Sequence, residues 1–187
     1  MFSHPLSPDV SLALLEPRYA EELFHLTQVN REHLREWLPW VDGVNTVEDT
    51  RAFIQTAQTQ FCENGAFQNV ILLRGQAVGA IGFHRIDLAN RSVSIGYWLD
   101  KEHQGQGIMT ASCRACISHA FTELKLNRVE IRCAVENRKS RAIPERLGFR
   151  FEGTLREAQW LYDHFVEHAL YGMLAREWHL QTEPRLR

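Results

Sequence analysis

The feature that most constrains this chain is a short turn, Gln104-Gly105-Gln106-Gly107, set between two different patterns. Before it, Val93, Ile95, Tyr97 and Leu99 alternate with Ser94, Gly96 and Trp98, the period of a strand with one buried face. After it, Met109, Cys113, Cys116, Ile117, Ala120, Phe121 and Leu124 recur at helical spacing. The first amides of such a helix have no internal partner and lie at the positive end of its dipole. Glycines let the backbone come close to an anion, and a pyrophosphate fits such a place. A Gly-x-Gly is equally a plain flexible turn, so these residues alone do not decide the matter.

Two nucleotide-binding readings are excluded. No Gly-Lys-Ser/Thr follows the turn, so it is not a Walker loop. A dinucleotide fingerprint needs a third glycine where Thr110 stands, and it needs consecutive parallel strands. The preceding strands read as antiparallel instead. Residues 70–73 and 77–83 flank Arg74-Gly75-Gln76, a hairpin turn, and a second turn at Ala89-Asn90-Arg91 leads into residues 92–99. Gly96 inside a strand marks a bulge or a close approach.

The flanking segments follow from the same rules. Residues 10–15 read as a strand, Pro17 sits at a helix start, and a second short helix runs from about Asn30 to Leu38 before Pro39. Thr46 and Asp49 resemble a capping box, opening a helix with Thr50, Phe53, Ile54, Ala57 and Phe61 on one face. Beyond the central helix, residues 128–135 form a strand, and strand–helix–strand implies one parallel pair with a right-handed crossover. A short helix near Ser140–Leu147 stops at Gly148, and residues 149–155 and 165–174 form a last antiparallel hairpin. One domain over residues 1–178 is expected, with a loose tail over 179–187.

Composition narrows the function. The chain has 187 residues, 44% hydrophobic and 24% charged, and its formal net charge of −2 comes without a Lys/Arg block that would hold nucleic acid. No apolar run approaches the roughly 18 residues that cross a bilayer, and the N-terminus has no signal-peptide pattern. Cysteines at 62, 113, 116 and 133 do not form a secreted disulfide framework, which points to the cytoplasm. Cys113-x-x-Cys116 falls on the apolar stripe of its helix with no second pair at finger spacing, so core packing is expected and no metal. His164 and His168 lie on one face of a strand and carry little weight as ligands.

With these residues in view, the chain resembles the Gcn5-related N-acetyltransferases, in particular their RimJ/RimL-like branch acting on ribosomal proteins. Gln104 and Gly107 match the pyrophosphate loop Gln/Arg-x-x-Gly-x-Gly/Ala, with Met109 departing at its last position. The likeness extends to Ile95-Gly96-Tyr97-Trp98-Leu99, Gly107-Ile108-Met109-Thr110, Glu136-Asn137-x-x-Ser140, Gly148-Phe149 and Trp37-Leu38-Pro39-Trp40. It implies an α/β (α+β) fold: a mixed, mostly antiparallel sheet of about seven strands, with a central splayed parallel pair and flanking helices.

The resemblance also implies a chemistry. A primary amine attacks the acetyl-CoA thioester directly, without a metal. Backbone groups at Trp98 and Leu99 would pair with the pantetheine and offer an N–H to the carbonyl. Backbone amides of Gln104, Gly105, Gln106, Gly107, Ile108 and Met109 would hold the pyrophosphate, and Asn137 would contact the pantetheine. The tyrosine that protonates the thiolate in many relatives is replaced by Pro144, and Ser140 would serve the sulfur instead. Gln159 stands where the branch carries its basic glutamate, which leaves Glu157, a water chain, or an amine that deprotonates before it binds. Trp37 and Trp40 belong near the acceptor, though packing is the commoner role of tryptophan. The acceptor expected first is the N-terminal amine of a ribosomal or other protein. A small-molecule amine such as a polyamine or antibiotic, and a CoA-binding module without catalysis, are the alternatives. Homodimers are common among similar enzymes.

Overall fold

A computed structural model describes residues 3–84 and 86–182. The elements are β1 (Ser3–Pro5), β2 (Val10–Leu14), α1 (Ala20–Val29), α2 (Arg31–Arg35), α3 (Val47–Asn64), β3 (Gln68–Leu73), β4 (Gln76–Phe83) and β5 (Ser92–Leu99). They continue with α4 (Ile108–Thr122), β6 (Arg128–Ala134), α5 (Arg138–Arg146), β7 (Arg150–Leu161), β8 (His164–Leu174) and α6 (Ala175–Thr182). The strands form one sheet in the order β1-β2-β3-β4-β5-β6-β8-β7. Every neighbouring pair is antiparallel except β5–β6, so the expected mixed sheet with one parallel pair is what forms.

Local chemistry sets the boundaries. Asp49 Oδ2 accepts from Thr46 N at 2.8 Å while Asp49 N donates to Thr46 Oγ1 at 3.3 Å, the reciprocal cap expected at the start of α3. Backbone N–H groups of Asn45 and Thr46 hold the Asp49 carboxyl below the usual carboxylate range. Arg74-Gly75 closes the β3–β4 hairpin, with Leu73 opposite Gln76. The sheet buries both faces. Ile81, Phe83, Ile95 and Ile131 meet Ile117, Phe121 and Trp178 on one side. Val70 and Ala77 meet Leu23, Ile54 and Ala57 of α1 and α3 on the other. Each such aliphatic or aromatic side chain contributes about 1.5–3 kcal/mol by leaving water.

Several expectations need correction. The sheet has eight strands, because Ser3–Pro5 pairs with Ser11–Ala13 as an edge strand. The second helix ends at Arg35 rather than Leu38, the chain turning ahead of Pro39. On α3, Thr50, Ile54 and Ala57 are buried, whereas Phe53 and Phe61 stand exposed at the rim of the stripe. β7 runs to Leu161, with register shifts after Phe151 and after Leu155. In the expected tail, α6 continues through Thr182, and residues 183–187 lie outside the described ones.

The cysteines sit as expected. Cys113 and Cys116 are buried, Cys133 faces inward, and Cys62 is exposed. Burial pushes the Cys116 thiol to about 12 and that of Cys133 to about 11. Alkylation of the native protein at neutral pH should therefore modify Cys62 and spare Cys113 and Cys116. Metal analysis of untagged protein should find no stoichiometric zinc. One zinc per chain that is lost on Cys116→Ser would overturn the packing role.

Candidate active site

The site begins where the parallel pair comes apart. β5 and β6 pair from Ser92↔Arg128 to Ile95↔Ile131 and no further, while both strands continue. On its other side β5 stays paired with β4 as far as Leu99. His84 N donates to Ser94 O and Asp100 N donates to Val78 O, so the even-numbered residues of β5 bond to β4. By the same alternation, the backbone groups of Tyr97 and Leu99 face the gap, and those of Trp98 do not. Of the two residues expected there, Leu99 supplies the backbone and Trp98 supplies a side chain.

Two cavities meet at this gap. One, of about 1220 Å³, runs along the start of α4 and α5, and the other, of about 850 Å³, lies under α1, α3 and the β7–β8 hairpin. They share Trp37, Leu38, Tyr97, Trp98, Asn137 and Ser140 as a common wall.

The larger cavity has the features of an anion site. Gly105 and Gly107 have φ of +76° and +78°, a region that glycine enters without penalty. A Cβ at either would meet no protein atom within 4 Å, so conformation rather than crowding demands glycine in the free protein. Gly107 is the N-cap of α4 and no side chain caps the helix; its first internal bond is Ala111 N to Gly107 O at 3.0 Å. The amides ahead of Ala111 are thus left for a ligand. The side chains of Ile108 and Met109 are buried and anchor the turn from behind. Gln104 braces it through its side chain: Nε2 meets His33 Nε2 at 2.7 Å and Oε1 accepts from Lys139 Nζ at 2.9 Å. Burial, helped by Lys139 and Lys101, lowers the His33 pKa, which leaves a ring nitrogen free to accept from Gln104. Gln106 Nε2 donates to Glu102 O at 3.3 Å. Lys101, Arg114, Lys139 and Arg146 line this cavity against one carboxylate, Glu36, a balance suited to a polyphosphate.

Ser140 and Asn137 occupy the common wall. Asn137 Oδ1 accepts from Ser140 N at 3.1 Å, so Asn137 caps α5 and its amide nitrogen remains for a ligand. Ser140 is therefore capped rather than capping. Four residues on, Pro144 has no N–H to give the Ser140 carbonyl. The Tyr97 hydroxyl donates to that carbonyl instead, at 3.1 Å, and accepts from Ser140 Oγ at 3.4 Å. Burial, with the Cys113 thiol nearby, pushes the Tyr97 hydroxyl well above its ordinary pKa.

In the smaller cavity Trp37 and Trp40 both line the wall, and Trp40 packs on Trp98 with ring centroids 6.1 Å apart. Glu157 is not among the lining residues. It stands exposed at φ +48° in the bulge of β7, while Ala158 and Gln159 turn toward the cavity. Gln159 Oε1 instead meets His168 Nε2 at 2.8 Å. His84 and Arg132 complete the charged or titratable lining with His168, Tyr97 and Cys133; no Asp or Glu is among the described lining residues. Sequence reading missed Tyr97, His84 and His168 as site residues. Gly96 was the available signal for His84, because a Cβ there would overlap His84 Nε2. The hairpin tip closes the cavity: Tyr162 donates to Leu38 O at 2.6 Å, and the Arg35 guanidinium lies 3.9 Å from the Tyr162 ring.

Residues 10–150 match the family model of an acetyltransferase (GNAT) domain. The chain is 40% identical over 181 residues to the putative ribosomal N-acetyltransferase YdaF of Bacillus subtilis (strain 168), covering 95% of this chain and 98% of that one. It is 32% identical over 169 residues to the ribosomal-protein-serine acetyltransferase of Escherichia coli (strain K12), covering 90% and 94%. The ribosomal L7/L12 alpha-N-protein acetyltransferase RimL, solved in complex with coenzyme A, superposes with a TM-score of 0.90 at 28% identity over 94% of this chain and 99% of that one.

Proposed function

The chain belongs to the GNAT acetyltransferase family, and from that premise we propose that it acetylates the N-terminal amine of a protein, with a ribosomal protein as the foremost candidate. Transfer of an acetyl group from acetyl-CoA to an amine is the activity of the family. The acceptor is the open part. The observation that carries the reading is the lining of the smaller cavity: Arg132, two imidazoles, tryptophan faces and no carboxylate among its described residues. A polyamine brings several positive charges and needs carboxylates to hold them. A peptide brings one amine at the end of a chain of apolar and polar groups, which an aromatic cleft fits.

In this assignment the acetyl-CoA pyrophosphate lies on the amides before Ala111, and the pantetheine extends the free edge of β5 along Leu99 and Tyr97. The N–H of Leu99 or Tyr97 receives the developing carbonyl charge. The amine nitrogen bonds to the carbonyl carbon and gives up a proton to a base or water on the acceptor side, the C–S bond breaks, and the thiolate takes a proton by way of Ser140. No described helix is long and apolar enough to cross a membrane. With a ribosomal acceptor the enzyme works in the cytoplasm. A homodimer remains part of the reading, and sedimentation measures it directly.

Release of free CoA should be measured with peptides bearing free N-termini, with polyamines and with aminoglycosides. Turnover on peptides, removed by blocking the terminal amine, is the expected result. Turnover confined to polyamines or antibiotics would replace the reading, and tight acetyl-CoA binding with no turnover on any acceptor would leave a binding module.

A further inference from the structure

We propose that His84 takes the proton from the attacking amine. The assignment rests on the reading above that the smaller cavity receives the acceptor. His84 follows β4 directly, and its backbone N–H extends the ladder to Ser94 O at 2.9 Å. Its imidazole lies over Gly96, the first residue of β5 beyond the last pair with β6. That is the root of the gap on the side of the smaller cavity, next to Tyr97 of the shared wall, where an amine would encounter a thioester carbonyl. A side chain at 96 would occupy the imidazole's place, so the glycine seats the ring.

The competing groups are weaker. Glu157 does not line the cavity, and no Asp or Glu does among the described residues. His168 has one ring nitrogen engaged by Gln159. Neither ring nitrogen of His84 has a hydrogen-bond partner among the described residues. The charged or titratable groups sharing its cavity are Arg132 and Cys133 from β6, Tyr97 from β5 and His168 from β8. Arg132 is the one fixed charge among them. Burial first, then Arg132, lowers the His84 pKa, so the ring is neutral near pH 7 and carries a free lone pair. The ring is walled by protein yet open to the cavity, so the proton can pass on to water. As the N–C bond forms, the amine proton moves to a His84 ring nitrogen and the carbonyl electron pair moves to oxygen. Collapse expels the thiolate, which is protonated on its own side of the gap.

His84→Gln keeps much of the bulk and removes the base. With a peptide that the wild type acetylates, kcat should fall about a hundredfold, with acetyl-CoA affinity by calorimetry unchanged. Gly96→Ala should displace the imidazole and lower kcat as well, and the double variant should be no slower than the slower single variant, because both disable one group. His164→Gln, at an exposed histidine that lines neither cavity, should leave turnover unchanged. NMR titration of the free protein gives a readout independent of catalysis: the His84 ring should titrate below the ordinary value of about 6.5. Because the folded-state pKa is lowered, the base stays available as pH falls to that point and is lost only below it. A His84→Gln variant as fast as wild type, or a ring that titrates above the ordinary value, would overturn the assignment alone. Absence of wild-type turnover on every amine would overturn both it and the acceptor reading.

Discussion

Gly107→Glu should severely weaken acetyl-CoA binding in a protein that still folds. Three observations combine. Gly107 has φ +78°, so any side chain there costs on the order of 1–2 kcal/mol in backbone conformation. A Cβ at 107 meets no protein atom within 4 Å, so the variant gains no internal clash and should keep its circular dichroism. In the proposed assignment the space beside it is where the amides at the start of α4 hold the pyrophosphate, and a carboxylate there would compete for those amides and repel the ligand. Calorimetry should show affinity reduced on the order of a thousandfold, about 4 kcal/mol. Gly107→Ala carries the same backbone cost without the charge and should lose far less. A folded Glu variant with wild-type affinity would remove the anion site from this turn.

Ser140→Ala should lower kcat by about a hundredfold, toward the lower end of proton-transfer catalysis, with acetyl-CoA affinity nearly unchanged. A coenzyme thiol with a pKa near 8.5 is a fair leaving group, so the hydroxyl assists rather than enables departure. The Tyr97 proton is committed to the Ser140 carbonyl, which Pro144 leaves without its helical donor, and the phenol is made a poorer acid by burial. Ser140 Oγ has a 3.4 Å contact to Tyr97 and a hydrogen bond with the Cys133 thiol, both weak, so it can turn toward the coenzyme sulfur. A stabilising role predicts a different outcome. The cap of α5 is Asn137, so Ser140→Ala removes no cap and the melting temperature should stay near wild type. Wild-type turnover in this variant, with or without a lowered melting temperature, would show that the hydroxyl takes no part in the reaction.

Much of the frame was legible because it is written in local patterns. The glycine turn, the alternation of 92–99, the capping box at Thr46 and the crossover into β6 each depend on residues adjacent in the chain. What escaped depends on distant partners or on small irregularities. Ser3–Pro5 is three residues with a proline and no apolar alternation, and only β2 makes it a strand. The residues after Leu155 break the period because Glu157 takes a left-handed conformation in the bulge, so β7 looked shorter than it is and Glu157 looked better aimed than it is. Phe53 follows the helical period of α3 yet borders a cavity, and periodicity cannot tell a core from a cleft. His84 and Ser140 are 56 positions apart in number and come to line one cavity only through the register of the sheet and the gap in it. Pro144 was visible as a missing tyrosine, whereas its second meaning, a carbonyl left for Tyr97, required the fold.

The shared wall of the two cavities has a consequence for the order of events. In the proposed assignment the cosubstrate lies along α4 and α5, and the acceptor lies under α1, α3 and the last hairpin. Neither has to pass through the other's chamber to reach the gap, so occupancy of one leaves the other accessible. Initial-rate plots against both substrates should then give intersecting rather than parallel lines, the signature of a ternary complex. Spent CoA can also depart and be replaced while the acetylated chain end is still in place, so turnover is gated by whichever chamber empties more slowly.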